Sequence, residues 1–180
     1  MALDATLGGA ASNSYLTVAE ADSYFGDRLH SDAWTAASAE NKSAALVTAC
    51  RSIEAHRLKV RREADPTFQD PIAPMTSGQA LGFPRYGDDG AVPVPVWQAQ
   101  CEEAVSLLSA GADGEQRSNL QAAGVTSFST IGLSETFGKR AATSSLLSAR
   151  ARKLLAPFVS RTGTLATSAS PGGEVEEVRL

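Results

Sequence analysis

The sequence is poor in the residues that build disulfide, metal and redox sites. Its 180 residues include only two cysteines and two histidines. Cys50 and Cys101 have no CxxC neighbour and lie on predicted apolar helix faces, so we expect two separate buried thiols rather than a disulfide. His30 and His56 stand in no metal-binding spacing such as HExxH, and we expect them to face solvent or to lie at helix ends. The sequence therefore predicts no metal site and no cofactor.

Long apolar runs and an excess of basic charge are also missing. No stretch approaches the roughly 18 apolar residues of a membrane-spanning helix, and the first ten residues lack the basic start and apolar core of a signal peptide. The formal net charge is −4, from 16 Lys and Arg against 20 Asp and Glu. This balance argues against a protein whose whole surface binds nucleic acid. These absences predict a soluble protein, synthesised for the cytosol, with no membrane partner.

Motifs of catalysis are absent as well. The sequence contains no GxSxG elbow, no P-loop and no GxGxxG. Glu102 and Glu103 are adjacent on a predicted helix and diverge by about 100°, which suits a solvated flank rather than a general acid and base pair. We therefore predict no catalytic residues, and an enzyme is not expected.

What the chain does contain is a pair of well-capped helices between Ser12 and His56. Thr17 and Glu20 form a capping box, so a helix begins at Val18. Ser38 is the expected cap of a second helix. The apolar positions of that helix repeat at i, i+3, i+4 and i+7: Leu46, Ala49, Cys50 and Ile53. The two apolar faces predict an αα-hairpin that Trp34 bridges.

An irregular loop over 57–84 separates this hairpin from further elements. A third helix follows the run VPVPV, with Pro95 in its first turn and Gly111 as its stop. Residues 125–137 alternate as a β ribbon does, and two strands alone must pack on helices or on another subunit. A last helix runs from about Ser145 to Phe158. Phe83 in the LGFPR motif is expected to insert its ring into the bundle.

The predicted fold class is mainly α. A small bundle of about four helices with a minor β-hairpin occupies residues 1–159, and an extended tail occupies residues 160–180. The tail is rich in Ser, Thr and Gly and cannot bury enough apolar surface to pack by itself, so an ordered tail needs contacts from another chain. Its tip combines acidic and apolar residues suited to docking on a partner: Glu174, Val175, Glu176, Glu177, Val178 and Leu180. A mobile, solubilising tail is the alternative.

One basic stretch is a candidate contact for DNA or for a partner protein. Arg57, Lys59 and Arg61 alternate with apolar residues, which in an extended backbone puts three cations on one face, with Arg62 beside them. Such a stripe can meet phosphates or an acidic protein surface, whereas a solvated helix end is the plain alternative. No aromatic residues are interleaved for base stacking. A protein contact or a solvated end is therefore favoured over DNA.

Seven short motifs occur in a recognisable order from about Asn13 to Phe158. They are NSYLTVAEADSYF, DAWTAAS, ALVTACRSIEA, LGFPR, VPVPVWQAQCEEA, IGLSETF and LLSARARKLLAPF. Their order and spacing resemble a family of tailed-bacteriophage neck proteins, the head-tail adaptors or connectors that sit beneath the portal. Relatives are also often labelled DnaT-like single-stranded DNA-binding proteins, a name that implies a different activity.

The resemblance implies a structural adaptor that joins the capsid vertex to the neck and tail. The expected assembly is a closed homo-oligomeric ring, twelvefold, that docks on the portal protein and receives the next neck or tail protein, a stopper or tail terminator. Duplex DNA would pass through its lumen without sequence specificity. The expected location is the neck of the virion, after assembly in the host bacterial cytoplasm. The alternative is a DnaT-like protein that binds single-stranded DNA directly.

Overall fold

The computed structural model describes residues 2–56, 73–122, 127–130, 133–136 and 147–159. Within these ranges the chain forms five α-helices: α1 Val18–Gly26, α2 Asp32–Thr35, α3 Ala39–Glu54, α4 Val94–Ala122 and α5 Ala149–Leu155. Strands β1 Ser127–Thr130 and β2 Leu133–Thr136 pair antiparallel, with Ser127 opposite Thr136. The predicted fold class, a small and mainly α bundle with a minor hairpin, is confirmed. No helix in the described ranges is long and apolar enough to cross a membrane.

Side-chain caps set the starts of α1 and α3 where the sequence predicted them. Glu20 N donates to Thr17 Oγ1 at 3.3 Å, and Thr17 N donates to Glu20 Oε2 at 2.7 Å. The capping box is therefore present. Asn41 N donates to Ser38 Oγ at 3.3 Å in the same manner. Each cap satisfies a backbone N–H that has no partner inside its helix.

Two other helix ends differ from the predictions. The backbone leaves helical geometry at Gly111, where φ is 58° and ψ is −163°, but helical structure resumes and continues to Ala122. Glycine tolerates this left-handed φ, so the residue forms a kink inside α4 rather than the end of the helix. α5 begins at Ala149 instead of near Ser145, because Ser148 is the residue whose side chain caps it.

The N-terminal helices pack on the first part of α4 around Trp34. This side chain is 2% exposed and stacks on Phe25 of α1, with ring centroids 4.6 Å apart. Its Nε1 donates to Asp22 at 2.8 Å, and Lys42 Nζ of α3 lies 5.3 Å from its ring centroid. Trp34 thus bridges α1 and α3 as predicted, although it does so from the short helix α2. We call the surrounding buried residues the first cluster: Leu16, Ala21, Phe25, Trp34, Ala45, Leu46, Ala49, Cys101, Ala104 and Val105.

A second cluster joins α3, α4 and α5. Its buried members are Tyr15, Cys50, Ile53, Phe83, Val96, Ala99, Leu147, Ala151 and Leu155. The Phe83 ring meets Tyr15 and Phe158 edge-on, with centroids 6.0 and 5.5 Å away, so its predicted insertion into the bundle is confirmed. Trp97 packs against both clusters and connects them along α4.

The two thiols are buried in different clusters, as predicted. Cys50 lies in the second cluster and Cys101 in the first, and both are free. Burial raises the pKa of Cys101 to about 12 and raises that of Cys50 as well. Because the thiolate is the reactive form, both side chains behave as small apolar core residues.

A buried amide fixes the segment that precedes α1. Gln100 of α4 is 0% exposed. Its Oε1 accepts from Tyr15 N at 3.0 Å, while its Nε2 donates to Ser14 Oγ at 2.8 Å and to Leu46 O at 2.9 Å. Buried polar groups are costly unless they are paired, and here each end of the amide has a partner. Gln100 therefore ties the N-terminal segment to both α3 and α4.

Candidate functional site

An open cleft lies between the C-terminal end of α1 and the N-terminal part of α4. Its volume is about 1010 Å³, which is at the upper end of the range for ligand sites. α1 contributes Tyr24, the turn after it contributes Arg28, α4 contributes Trp97, and α5 contributes Arg150. Three distant parts of the sequence therefore meet around one opening.

Two aromatic side chains form one wall of this cleft. Tyr24 and Trp97 are both half-buried, and their rings meet edge to face with centroids 5.8 Å apart and planes 87° apart. This is a favourable aromatic pairing, and it leaves part of each ring in contact with the opening. Partly exposed aromatic rings in a cleft provide surfaces on which planar groups such as nucleobases can stack.

Beside the aromatic wall, the carboxylate of Glu102 holds Arg28 in place. Arg28 Nε donates to Glu102 Oε1 at 2.7 Å and Nη2 donates to Oε2 at 2.8 Å, which is a bidentate pair. Tyr24 donates its hydroxyl to the same Oε1 at 2.8 Å. Arg28 Nη1 also donates to the carbonyls of Leu29 and His30, at 3.0 and 2.7 Å. One guanidinium thus fixes the turn after α1 against α4.

The protonation states in this network follow from burial and pairing. Burial alone would raise the pKa of Glu102, but the hydrogen bonds from Arg28 and Tyr24 and the charges of Arg28 and Arg150 outweigh burial and lower it. The hydrogen bond to Glu102 raises the pKa of Arg28. Burial, with the Glu102 hydrogen bond second, raises the pKa of Tyr24 to about 12. At neutral pH Glu102 is therefore charged, and Tyr24 remains a neutral donor.

The pKa of Glu102 leads to a pH prediction. A folded-state pKa below the ordinary 4.5 means that this carboxylate stabilises the fold above pH 4.5 and loses that effect as the pH falls through its folded-state pKa. We expect Glu102→Gln to be less stable than wild type at neutral pH, and the difference in free energy of unfolding to shrink on acidification. Denaturant titrations at a series of pH values measure this difference. A difference that stays constant down to acid unfolding would contradict the assignment.

The prediction that Glu102 and Glu103 form a solvated flank was wrong. Their side chains are buried, with 7% and 2% of their surfaces exposed. The two side chains do point in different directions, but each is covered by another part of the chain. Glu102 meets Arg28 and Tyr24, whereas Glu103 Oε2 accepts from the backbone N–H of Ser148 at 2.7 Å. The sequence gives the angle between the two side chains but not what packs on either side of α4.

Arg150 supplies exposed positive charge at the cleft. Its side chain is 65% exposed, and its Nη1 lies 3.5 Å from Glu102 Oε2. Most of the Arg150 side chain lies in solvent, so its guanidinium is accessible to an incoming anion. Glu20 and Asp27 line the same opening. The cleft therefore carries both signs of charge rather than a uniformly basic surface.

The family of the chain is shown by comparison with known proteins. A family model with the description "Putative DnaT-like ssDNA binding protein" matches residues 1–171. The chain belongs to this family. No curated protein and no solved structure matches it. The match to the DnaT-like family includes every residue named above in the cleft.

Membership in the DnaT-like family corrects the interpretation of the seven motifs. The phage head-tail adaptor, with its virion and connector role, was wrong, because the model that matches describes a single-stranded DNA-binding family. The alternative given beside the adaptor is the better supported one. A fold does not by itself specify a function, and the seven motifs consist largely of helix caps and apolar helix faces. Nothing supports the ring, the portal or the neck and tail proteins as partners, whereas the family points to DNA.

The residues that the sequence singled out lie outside the described ranges. Arg57, Lys59, Arg61 and Arg62 fall within 57–72, and the tail tip 174–180 falls beyond 159, so their roles stay predictions. Within the described ranges, no group of three or more His, Cys, Asp or Glu side chains is arranged to hold a metal ion.

The cleft residues were missed because the sequence presents them as ordinary helix positions. Tyr24, Trp97 and Arg150 fall within three of the helices that the sequence predicts, and no catalytic or binding motif marks any of them. One signal was available. A tyrosine and a tryptophan are amphipathic, and at the edge of an apolar face such residues often keep one side in solvent. That signal does not indicate which helices pack with these edges next to each other.

Proposed function

We propose that this protein binds single-stranded DNA and holds unpaired bases in the cleft between α1 and α4. The observation that carries the proposal is that two half-buried aromatic rings, Tyr24 and Trp97, share an opening with the exposed cation Arg150. Proteins that bind single strands combine aromatic surfaces for the bases with cations for the backbone. Membership in the DnaT-like family supports the same activity.

The charges of the cleft suggest how the binding energy is divided. Arg28 is engaged by Glu102 and by two backbone carbonyls, so Arg150 is the better candidate for contacting a phosphate. Glu20 and Asp27 repel phosphates and direct the backbone of the strand toward Arg150. Each neutralised phosphate makes the dependence of log affinity on log salt concentration steeper by about 0.7 for single strands. We therefore expect stacking to dominate and the salt dependence from this cleft to be shallow.

The proposed activity is binding without chemistry. Glu102 is a buried carboxylate that contacts the lining residues Tyr24 and Arg28, and its lowered pKa keeps it ionised at neutral pH. Its two oxygens already accept hydrogen bonds from Arg28 and Tyr24. A carboxylate in this state is not poised as a general acid. It serves to hold the walls of the cleft.

Replacing Trp97 tests the location of the site. We expect Trp97→Ala to weaken binding of a fluorescently labelled single-stranded oligonucleotide by about 5- to 150-fold, since stacking contributes about 1 to 3 kcal/mol per base. Trp97→Phe keeps an aromatic face and should retain most of the affinity. Fluorescence anisotropy measures both, and thermal unfolding shows whether each variant is folded.

A charge change on α5 provides the matched control. Arg150→Ala should reduce affinity, whereas Arg152→Ala removes the same charge from an exposed position of the same helix that does not line the cleft. A folded Trp97→Ala variant with wild-type affinity would move the site elsewhere. Failure of the wild-type protein to prefer single strands over duplex would overturn the proposed function itself.

A further inference from the structure

We infer that Glu103 is a positioning residue for DNA binding, because it anchors the start of α5 and thereby sets where Arg150 enters the cleft. This inference rests on the proposed function. Glu103 does not line the cleft and has no direct path to a bound strand, since its side chain is 2% exposed. Its effect must pass through the element that it holds.

The anchor is a hydrogen bond between two helices. Glu103 Oε2, on α4, accepts from the backbone N–H of Ser148 at 2.7 Å. Ser148 is also the N-cap of α5, where its Oγ accepts from Ala151 N at 3.3 Å. The same residue is therefore fixed to α4 by its backbone and to α5 by its side chain. Arg150 follows two residues later, in the first turn of α5.

The short length of α5 makes its position depend on such contacts. It has seven residues, and an isolated helix of that length is not stable in water. Ala151 and Leu155 anchor its apolar face in the second cluster. These apolar contacts are not directional. The hydrogen bond from Ser148 to Glu103, in contrast, fixes the position of the first turn of α5 relative to α4. A buried carboxylate that lost this donor would be costly, so the bond also resists rearrangement.

Neighbouring carboxylates on α4 thus position two elements that line the cleft. Glu102 holds Arg28 and the turn after α1, and Glu103 holds the start of α5. The Arg150 guanidinium lies 3.5 Å from Glu102 Oε2, so the position of α5 determines how close Arg150 lies to the cleft. Adjacent residues of one helix therefore coordinate groups that are far apart in the sequence.

Three substitutions separate the effect of the side-chain length of Glu103 from the effect of its charge. Glu103→Asp keeps the charge but shortens the side chain, so its carboxylate no longer reaches Ser148 N. Glu103→Gln loses the charge but keeps an oxygen at the same distance. Glu103→Ala loses both. If Glu103 acts through its hydrogen bond, Asp and Ala should weaken single-strand binding by about 3- to 10-fold and make the salt dependence shallower by about 0.7, the effect of one lost phosphate contact, while Gln should bind as wild type does.

A double-substitution cycle with Arg150 completes the test. If Glu103 acts by positioning Arg150, Glu103→Asp should have no further effect on affinity or salt dependence once Arg150→Ala is present. Ser148→Ala is the control for general weakening of α5, because it removes the side-chain cap but keeps the backbone N–H that Glu103 accepts from; it should bind as wild type does.

The outcomes separate the inference from the proposed function. Wild-type protein that does not bind single strands would overturn both. Two results would overturn the inference alone. In the first, Arg150→Ala weakens binding but Glu103→Asp does not. In the second, both substitutions weaken binding and their effects add in the double variant. A Ser148→Ala variant as weak as Glu103→Asp would also overturn it, since the helix rather than the anchor would be responsible. Should Glu103→Ala not fold, the Asp and Gln variants decide between these outcomes.

Discussion

Replacing Trp34 with alanine is expected to lower the free energy of unfolding by about 3 to 5 kcal/mol. The side chain is 2% exposed in the first cluster, stacks on Phe25 and donates to Asp22. Truncation removes this apolar contact area and leaves a cavity between α1, α3 and α4 that the neighbouring side chains only partly fill. Chemical denaturation followed by far-UV circular dichroism measures the change.

Trp34→Phe is the matched comparison. A phenyl ring can keep the stack on Phe25 but has no Nε1 to donate to Asp22, so we expect a smaller loss of about 1 to 2 kcal/mol. The difference in free energy of unfolding between the two variants then measures the cost of the cavity. An alanine variant with an unchanged denaturation midpoint would mean that Trp34 does not hold α1 and α3 together.

Replacing Arg28 with alanine is expected to cost about 3 to 5 kcal/mol, because it leaves the buried Glu102 carboxylate without its bidentate partner. The carbonyls of Leu29 and His30 also lose their donor. Equilibrium unfolding at neutral pH measures the loss. Glu102→Gln introduced into the Arg28→Ala background should recover part of it, because the second substitution removes the uncompensated charge.

The ion pair between Lys42 and Asp22 provides a control with a similar distance between nitrogen and oxygen. Its nitrogen and oxygen are also 2.8 Å apart, but the Asp22 side chain is 49% exposed. We expect Lys42→Ala to cost less than about 1 kcal/mol. Equal losses for Arg28→Ala and Lys42→Ala would show that burial of Glu102 does not govern the energetics of the cleft.

The parts of the fold that the sequence predicted are those with local signals. Thr17 and Glu20 satisfy each other's backbone groups across three residues, so the start of α1 follows from a short stretch of sequence. The apolar repeat of α3 likewise predicted which of its residues are buried, including Leu46 and Ile53. Such local rules do not depend on the rest of the chain.

The parts that the sequence did not predict depend on contacts between distant segments. Glu103 looks like a surface residue until Ser148, 45 positions away in the chain, is packed against it. The cleft forms only when the end of α1, the start of α4 and the start of α5 converge, and no single-sequence pattern encodes that convergence. At Gly111 the sequence predicts the end of the helix, and nothing nearby indicates that the chain continues as helix after this residue.

The Gln100 amide also bears on the order in which the chain folds during synthesis. Its partner Tyr15 lies 85 residues earlier, so at roughly 5 to 20 residues per second about 4 to 17 s separate the synthesis of the two. Throughout that interval Tyr15 N and Ser14 Oγ lack the Gln100 amide that pairs with them in the folded protein. Closing a loop of this length carries an entropic cost that later contacts must offset. The hydrogen bonds that tie the segment before α1 to α3 through Gln100 can therefore form only after α4 has been synthesised.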